Sequence, residues 1–551
     1  MKKSKFFLLL IFIISLFPLF DLFHPGLPIT HDGKDHVARI ANFYQNITEG
    51  NIIPRWAGNL NWGYGHPILM FLYPLPSYGA SLFHFLGFSL VDSLKIIFGL
   101  AFILSGFSMY VLVKELFKNE ESGFVSALLY LYAPYRFVDL YVRGAIGEHV
   151  AFIFPPLICY FFLKLSKKYS YFYILGGAFS VTGLILAHNA ITLMFLPIIF
   201  GFCGFFVWQS KNKLKLVTNY LFVTICGFGL SSFFLMPAFF EGKYTLRDIV
   251  TKGEYASRFI NNMGDFLYGS WSYGGSGEFT VQIGIIQWLM VFLSIPIILI
   301  LRNKKNKLWL LSLFLFLSFF FSLFIMTSNS QFIWEKITIL QKFQFPWRFL
   351  SVAVFLTGLL GGLFIYTLNK KNKIIFTIII SFLLLVINKD VIHANGYEYK
   401  DDKYYSGIYN GTTDTGESAP IWSVRFMERS PSKAVEVIEG DADIEIVKRT
   451  STVHNYSILV NNKAKIRENT LYFPGWIVFV DGMPAPIEFQ DQANRGLITF
   501  FVEKGKHTID IKFAETKLRI VSDILSILSL VIILFYGILG ETSIWRRFRL
   551  Y

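Results

Sequence analysis

Apolar runs of about 18 to 25 residues recur along most of this 551-residue chain, each long enough to cross bilayer hydrocarbon as a helix. A segment in lipid must satisfy its own backbone hydrogen bonds, so such runs can only be helices. Charged residues make up 16% of the chain and hydrophobic residues 54%, with 61 Phe. A soluble domain carries about a quarter charged residues. The sequence therefore specifies a polytopic α-helical membrane protein.

Spans are expected near 6–22, 93–113, 122–140, 147–165, 170–187, 190–208, 216–238, 281–301, 308–326, 347–368, 373–388 and 519–540. The stretch Pro67 to Phe88 is also apolar, but it is broken by Pro74, Pro76, Ser77 and His84. Charge parity decides it. If this stretch does not cross, Lys164/Lys167/Lys168, Lys211/Lys213/Lys215, Arg302/Lys304/Lys305/Lys307, Lys370/Lys371/Lys373 and Arg546/Arg547/Arg549 share the cytoplasmic side with Lys2, Lys3 and Lys5. If it crosses, the clusters from the third span onward move outside, against the positive-inside rule. The stretch is thus expected to be re-entrant or interfacial, giving about twelve crossings and two cytoplasmic termini. The first apolar run lacks a small-x-small cleavage site and is read as a retained helix rather than a signal peptide.

The net charge of +14 sits in these short inter-span clusters, which argues against nucleic acid as a partner. Cys159, Cys203 and Cys226 all fall inside apolar runs, so neither a disulfide framework nor a cysteine metal site is indicated. No internal repeat or low-complexity tract is present.

Three segments are expected outside: Phe23 to about Leu90, about Phe239 to Thr280, and about Lys389 to Arg519. The last alternates with period two, as in Thr508-Ile509-Asp510-Ile511-Lys512-Phe513, and is punctuated by Asp481-Gly482, Asn494-Arg495-Gly496 and Lys504-Gly505-Lys506. These are the marks of a small all-β, sandwich-like domain. The division expected is a transmembrane core over 1–388, a β-rich domain over 389–518, and a final helix with a basic tail over 519–551. Asn-x-Ser/Thr sequons at Asn46, Asn410 and Asn455 fall on the expected outer side.

The first outer segment carries the residues most suited to chemistry. It reads Thr30-His31-Asp32-Gly33-Lys34-Asp35-His36-Val37-Ala38-Arg39, then Glu49-Gly50-Asn51-Ile52-Ile53-Pro54-Arg55-Trp56. A carboxylate just beyond the first helix can stay ionised and still reach a substrate held at the membrane surface. This arrangement resembles the GT-C superfamily of membrane glycosyltransferases, in which an acidic residue of the first outer loop precedes a helical stretch and a Gly…Pro-Arg segment. Asp35, Gly50, Pro54 and Arg55 fit that pattern. Many members carry an Asp-Glu pair where this chain has Asp35-His36.

A closer resemblance covers most of the chain. Blocks such as Asn61-Trp62-Gly63-Tyr64-Gly65-His66-Pro67, Ala133-Pro134-Tyr135-Arg136, Tyr141-Val142-Arg143-Gly144-Ala145-Ile146-Gly147-Glu148, Gln344-Phe345-Pro346-Trp347-Arg348 and Tyr472-Phe473-Pro474-Gly475-Trp476 are similar to those of YfhO-type proteins. That group overlaps the bacterial membrane proteins called 6-pyruvoyl-tetrahydropterin synthase-related. The pterin label implies no pterin chemistry, since no His-rich zinc set is present.

The resemblance implies transfer of a sugar from a polyprenyl-phosphate donor to a cell-envelope glycan or polymer. A carboxylate would take the acceptor proton, and cations would stabilise the departing phosphate. Phosphate leaves readily, so a second carboxylic acid is not needed, unlike in glycoside hydrolysis. Asp35 is assigned as catalytic base, its ordinary alternative being a loop or cap carboxylate. Asp32 is a catalytic candidate or a cap. His36 could orient Asp35 or bind metal. Arg55, Arg143 and Arg348 are the phosphate-binding candidates, against simple snorkelling. Glu148 either lines the cavity or pairs with Arg143, Arg39 could pair with Asp35, and His188 could touch substrate. Trp62, Tyr64, Tyr73 and Tyr78 could stack on sugar rings or form an interfacial belt.

No cofactor is specified. A divalent cation stays an open alternative, because Asp35, Asp32 and His36 by themselves are an incomplete ligand set. A transporter of lipid-linked sugars would expect charges buried mid-span and repeated broken helices. A non-catalytic assembly factor would make Asp35 incidental.

Overall fold

A computed structural model describes residues 2–275 and 278–541. Every one of the twelve apolar runs contains a helix. Among the described residues, seven helices are long and apolar enough to cross a membrane, or eight if the pair Lys213–Leu230 and Ser232–Tyr244, bent by 72°, counts as one span. Tyr171–Ala187 and Leu308–Phe324 are apolar but shorter. The run expected over 122–140 is a helix over Glu120–Leu131, breaks before Pro134, whose ring cannot continue the ladder, and resumes as the short turns Pro134–Phe137 and Val138–Arg143. Pro67 to Phe88 forms two short helices, Ile68–Phe71 and Leu75–Phe85. Eleven residues rise only about 16 Å, roughly half the hydrocarbon thickness. The cluster Arg546/Arg547/Arg549 lies outside the described residues.

Helix Leu350–Thr367 runs through the centre of the bundle, and the apolar window around it is 94% buried. Its glycines explain how closely it packs on Glu120–Leu131. A Cβ on Gly361 would stand 2.0 Å from Leu129, and one on Gly362 would stand 2.3 Å from Ser126 Oγ. The Ser126 hydroxyl donates to the Gly358 carbonyl at 2.7 Å. Small residues let backbones approach where lipid gives no hydrophobic drive to pair.

Eight strands lie outside the bundle: β1 Leu27–Pro28, β2 Tyr397–Glu398, β3 Val435–Arg449, β4 Val453–Leu471, β5 Trp476–Val480, β6 Met483–Ala485, β7 Leu497–Val502 and β8 Gly505–Phe513. β3 to β8 form one six-stranded sheet in the order β3-β4-β8-β5-β6, with β7 also on β4. The expected sandwich is therefore a single hydrogen-bonded sheet. β4 is long enough to pair with β8 over Val453–Val460 and with β7 over Ala464–Leu471. Inward residues of both halves, among them Ile458, Ile466, Val478, Phe500 and Ile511, share one apolar cluster. Asp481 and Gly482 both have positive φ, 49° and 79°, and join β5 to β6 as a two-residue hairpin requires.

Residues 389–434 contribute no strand to that sheet. They form a strap over the first loop: β2 pairs antiparallel with β1, and Asn61 N–H and Trp62 N–H donate to the Gly411 and Tyr409 carbonyls at 2.8 and 2.9 Å. Asn46 is fully buried, its amide donating to the Asn42 and Trp56 carbonyls at 2.9 Å. That sequon is structural.

Candidate functional site

Helix Gly33–Thr48 positions the first-loop residues. Its buried face includes Val37, Ala38, Ile40, Ala41 and Phe43, and Leu75–Phe85 packs beside it. Its entry is fixed by backbone bonds to the Tyr141–Glu148 block: His31 N–H donates to Val142 O at 3.0 Å and Asp32 N–H to Arg143 O at 2.9 Å. A Cβ on Gly144 would sit 2.3 Å from Thr30 Oγ1, so that residue must be glycine. Two blocks more than a hundred residues apart thus meet edge to edge.

Asp35 lies in the first turn, half-buried. The Tyr409 hydroxyl of the strap donates to its Oδ1 at 2.6 Å. Among the described residues Oδ2 has no hydrogen-bond partner. Burial pushes the Asp35 pKa above the usual carboxylate value, while the Tyr409 bond and the Arg39 charge pull the other way. Asp32 occupies the helix N-cap position, but its side chain makes no cap bond and is exposed.

His36 is buried, and Arg39 Nη1 lies 2.9 Å from its Nδ1. A guanidinium only donates, so Nδ1 accepts and Nε2 carries the proton. That Nε2 is buried with no partner. Burial first, then Arg39 and Arg143, hold His36 well below the ordinary histidine pKa, so it is neutral, with no acceptor for Nε2–H among the described residues. Arg39 spends its other contacts on Thr413 Oγ1, at 3.3 Å, and on the Thr413 carbonyl, not on Asp35.

Arg143 Nη1 donates to Asp139 at 2.7 Å, Glu148 at 2.8 Å and the Tyr135 hydroxyl at 3.1 Å. Glu148 also accepts from the Tyr135 hydroxyl at 2.6 Å. Arg348 is less committed: its Nε stands 3.8 Å from Glu148 without a hydrogen bond, and Nη1 donates to Phe343 O at 3.1 Å. His188 Nδ1 caps its helix by accepting from Ile191 N–H at 3.3 Å, and its ring stacks on Tyr73 at 5.0 Å. Burial, then the Arg348 and Arg143 charges, depress its pKa well below normal. Tyr73 feels Arg39, Asp32, Arg348 and Arg143 together.

The structure therefore gathers Asp35, Asp32, His36, Arg39, Arg143, Glu148, His188 and Arg348 at one end of the bundle. Arg55 is elsewhere: it pairs with Glu515 and Asp523, both at 2.8 Å, and donates to Phe233 O at 3.0 Å, tying the first loop to the last helix. Sequence reading missed Tyr409 as a partner of Asp35. No local signal marks it, since 374 residues separate the two. Tyr135 and Asp139 were also missed. Among the described residues no three His, Cys, Asp or Glu side chains converge to hold a metal ion.

Two cavities are lined by chain neighbours of cluster residues, Asn189 and Phe343 in one and Trp347 in the other. One of about 410 Å³ is apolar, lined by Leu193, Phe228, Leu235 and Phe239, with Arg247 and Lys342 also on its wall and Phe343 at its edge. The other, about 530 Å³, includes Asn261, Asp265, Glu278, Phe279 and Trp347.

The family described as "6-pyruvoyl-tetrahydropterin synthase related domain; membrane protein" matches residues 69–392, more than half of the chain. An uncharacterized protein of Lactococcus lactis subsp. cremoris (strain MG1363) is 25% identical over 316 residues, 56% of this chain. The match spans about half, 51%, of that relative's length. The archaeal oligosaccharyltransferase AglB from Archaeoglobus fulgidus, solved with an inhibitory peptide and a dolichol-phosphate, is similar at 12% identity and a TM-score of 0.44, over 76% of this chain and 61% of that one. ArnT from Cupriavidus metallidurans bound to undecaprenyl phosphate is similar at 12% identity and a TM-score of 0.39, over 72% and 67%. Both scores lie below 0.5, so neither likeness bears on function.

Proposed function

The chain belongs to the 6-pyruvoyl-tetrahydropterin synthase related family of membrane proteins, and from that premise we propose that it is a membrane glycosyltransferase. It moves a sugar from a polyprenyl-phosphate carrier to an extracytoplasmic envelope glycan or polymer, inverting the anomeric carbon. One observation carries this reading: a half-buried carboxylate, Asp35, with one oxygen free and a raised pKa, stands in a cluster with arginines and neutral histidines.

The acceptor hydroxyl attacks the anomeric carbon as its proton passes to Asp35 Oδ2. The bond from that carbon to the phosphate oxygen breaks, and its electron pair leaves with the phosphate. Arg348 is the cation for that charge, because Arg143 is already held by two carboxylates. Arg143 and Glu148 instead position the backbone that carries Asp32 and Asp35. The neutral Nε2–H of His36 donates to a substrate oxygen, and His188 supports Tyr73. The apolar cavity beside Phe343 suits an isoprenoid tail, with Arg247 and Lys342 on its wall. Arg55 serves the fold.

The remaining apolar helices complete about twelve crossings, with both termini cytoplasmic and the sheet outside. We divide the chain into a core over 1–388, an outer domain over 389–518, and a last helix with a basic tail over 519–551. The basic clusters support this sidedness. Single cysteines placed at exposed Met483 of the sheet and exposed Lys305, in a chain freed of its native cysteines, should differ: a membrane-impermeant thiol reagent applied to intact cells should label the first and spare the second. The reverse pattern would overturn the orientation.

The activity is tested by comparing lipid-linked and envelope-bound sugars in cells with the wild-type chain, the Asp35→Asn chain, or neither. A loss of envelope sugar confined to the last two supports the enzyme. An effect of deletion that Asp35→Asn does not reproduce favours a transporter or assembly factor.

Tyr409 gives a pH test. Its bond favours the ionised form of Asp35, so Tyr409→Phe should raise the Asp35 pKa further. The acid limb of the rate profile should move to higher pH, by roughly one unit for a bond worth about 1.4 kcal/mol. An unmoved limb would mean Asp35 is not the titrating base.

A further inference from the structure

Where the first loop, the strap and the sheet meet there is a separate cavity of about 300 Å³. Trp62, Trp56, Asn59, Lys433, Arg449 and Ser451 line it. No Asp or Glu does. The Trp56 indole is buried, packed edge-on against Trp476 at 5.4 Å. Gly65 makes room for it: a Cβ there would lie 2.5 Å from Trp56 Nε1.

Trp62 is held in a conformation that side chains avoid. Asn61 and Trp62 have φ of 53° and 63°, left-handed backbone that non-glycine residues adopt only at a cost. Three bonds hold it in place: the two to the strap carbonyls of Gly411 and Tyr409, and one from Met427 N–H to Asn61 Oδ1 at 3.0 Å. The partly exposed indole thus becomes part of the cavity wall. Ser451 also lines the cavity; it is only 4% exposed, and its buried hydroxyl has no hydrogen-bond partner among the described residues. A buried hydroxyl normally has a partner, and a bound ligand or a water can supply it.

We propose that this cavity binds a short saccharide carrying an anionic substituent. The Trp62 ring takes one sugar face, as aromatic rings do with the C–H-rich side of a pyranose. Ser451 Oγ and the Asn59 side chain meet hydroxyls. Lys433, exposed at the rim, meets the negative group. Arg449 is already bonded to Glu468, to Tyr456 at 2.8 Å and to Thr470 at 3.3 Å; its charge is balanced by Glu468, so it forms wall rather than anion site. The strap that fixes Trp62 through the Tyr409 carbonyl also holds Asp35 through the Tyr409 hydroxyl, so the cavity and the base are one residue apart. The binding assignment stands on the cavity alone. Identifying the occupant as part of the acceptor rests on the transferase reading.

The test titrates the full-length protein in detergent with tetragalacturonate, with neutral maltotetraose, and with inorganic phosphate, by calorimetry. Tetragalacturonate should bind, more tightly than maltotetraose. Trp62→Gly should weaken it about tenfold, and glycine suits this backbone, so the variant keeps the fold. Ser451→Ala and Lys433→Ala should each weaken binding several-fold, the latter with a reduced salt dependence. Asp35→Asn should leave it within about twofold. Absence of saccharide binding, indifference to Trp62→Gly, equal affinity for maltotetraose, or full displacement by phosphate alone would each overturn the proposal. Binding without transfer in cells would remove only the acceptor identification; transfer without binding would remove the cavity and spare the enzyme.

Discussion

Asp35→Asn should lower sugar transfer by about 10²- to 10⁴-fold, the span expected when a positioned general base is removed, while the protein remains folded. Asn keeps the oxygen that accepts from Tyr409, so the contact between first loop and strap survives. It cannot take a proton at the other oxygen. Stability should be unchanged or slightly higher. The folded-state pKa of Asp35 is raised above its ordinary 3.8, so folding favours the protonated form. The associated stability is present below the ordinary value and lost as pH rises through the raised one. An uncharged Asn escapes that loss at neutral pH. Transfer at wild-type rates by a well-folded Asp35→Asn protein would sink the base assignment, and the thermal midpoint measured alongside separates chemistry from folding.

The second large effect concerns how the sheet is fastened to the bundle. Arg519, at the start of the last helix, is completely buried, and its Nε and Nη2 donate to Glu241 Oε2 at 2.9 and 2.8 Å. Nη2 also reaches the Pro474 carbonyl at 2.6 Å, which joins the pair to the start of β5. Glu241 is itself only 3% exposed. Glu241→Gln leaves a buried guanidinium without its counter-charge, which costs about 3–5 kcal/mol. The expected result is a marked fall in thermal midpoint and faster proteolytic release of the C-terminal sheet. Glu241→Leu combined with Arg519→Met removes both polar partners and should recover a large part of the loss, because the desolvation cost then disappears as well. A Glu241→Gln protein as stable as wild type would mean that the Pro474 and Ala514 carbonyls alone satisfy Arg519.

The membrane class was legible because crossing lipid demands length and apolarity, both of which are properties of a contiguous run. Hairpin turns were legible for a similar reason: Asp481-Gly482 is a local conformational choice, and it joins β5 to β6 as read. The first-loop carboxylate was legible as a candidate, but its place in the first turn of Gly33–Thr48 came from the structure. Roles for the arginines were not. Arg55 and Arg348 look alike in sequence, each in a Pro-Arg or Pro-Trp-Arg block. Their difference is set by partners hundreds of residues away, Glu515 and Asp523 for Arg55, and only a carboxylate 3.8 Å off for Arg348.

The sequence by itself determined that this chain lives in a membrane, where its helices lie and which loop carries a carboxylate beside basic groups, since hydropathy, proline and glycine act over a few residues. Tertiary structure alone decided that 389–434 folds back as a strap, that Tyr409 meets Asp35, and that β4 carries two halves of one sheet. Those outcomes depend on long-range closure, where burial and unpaired hydrogen-bonding groups are settled by whichever distant segment arrives to satisfy them.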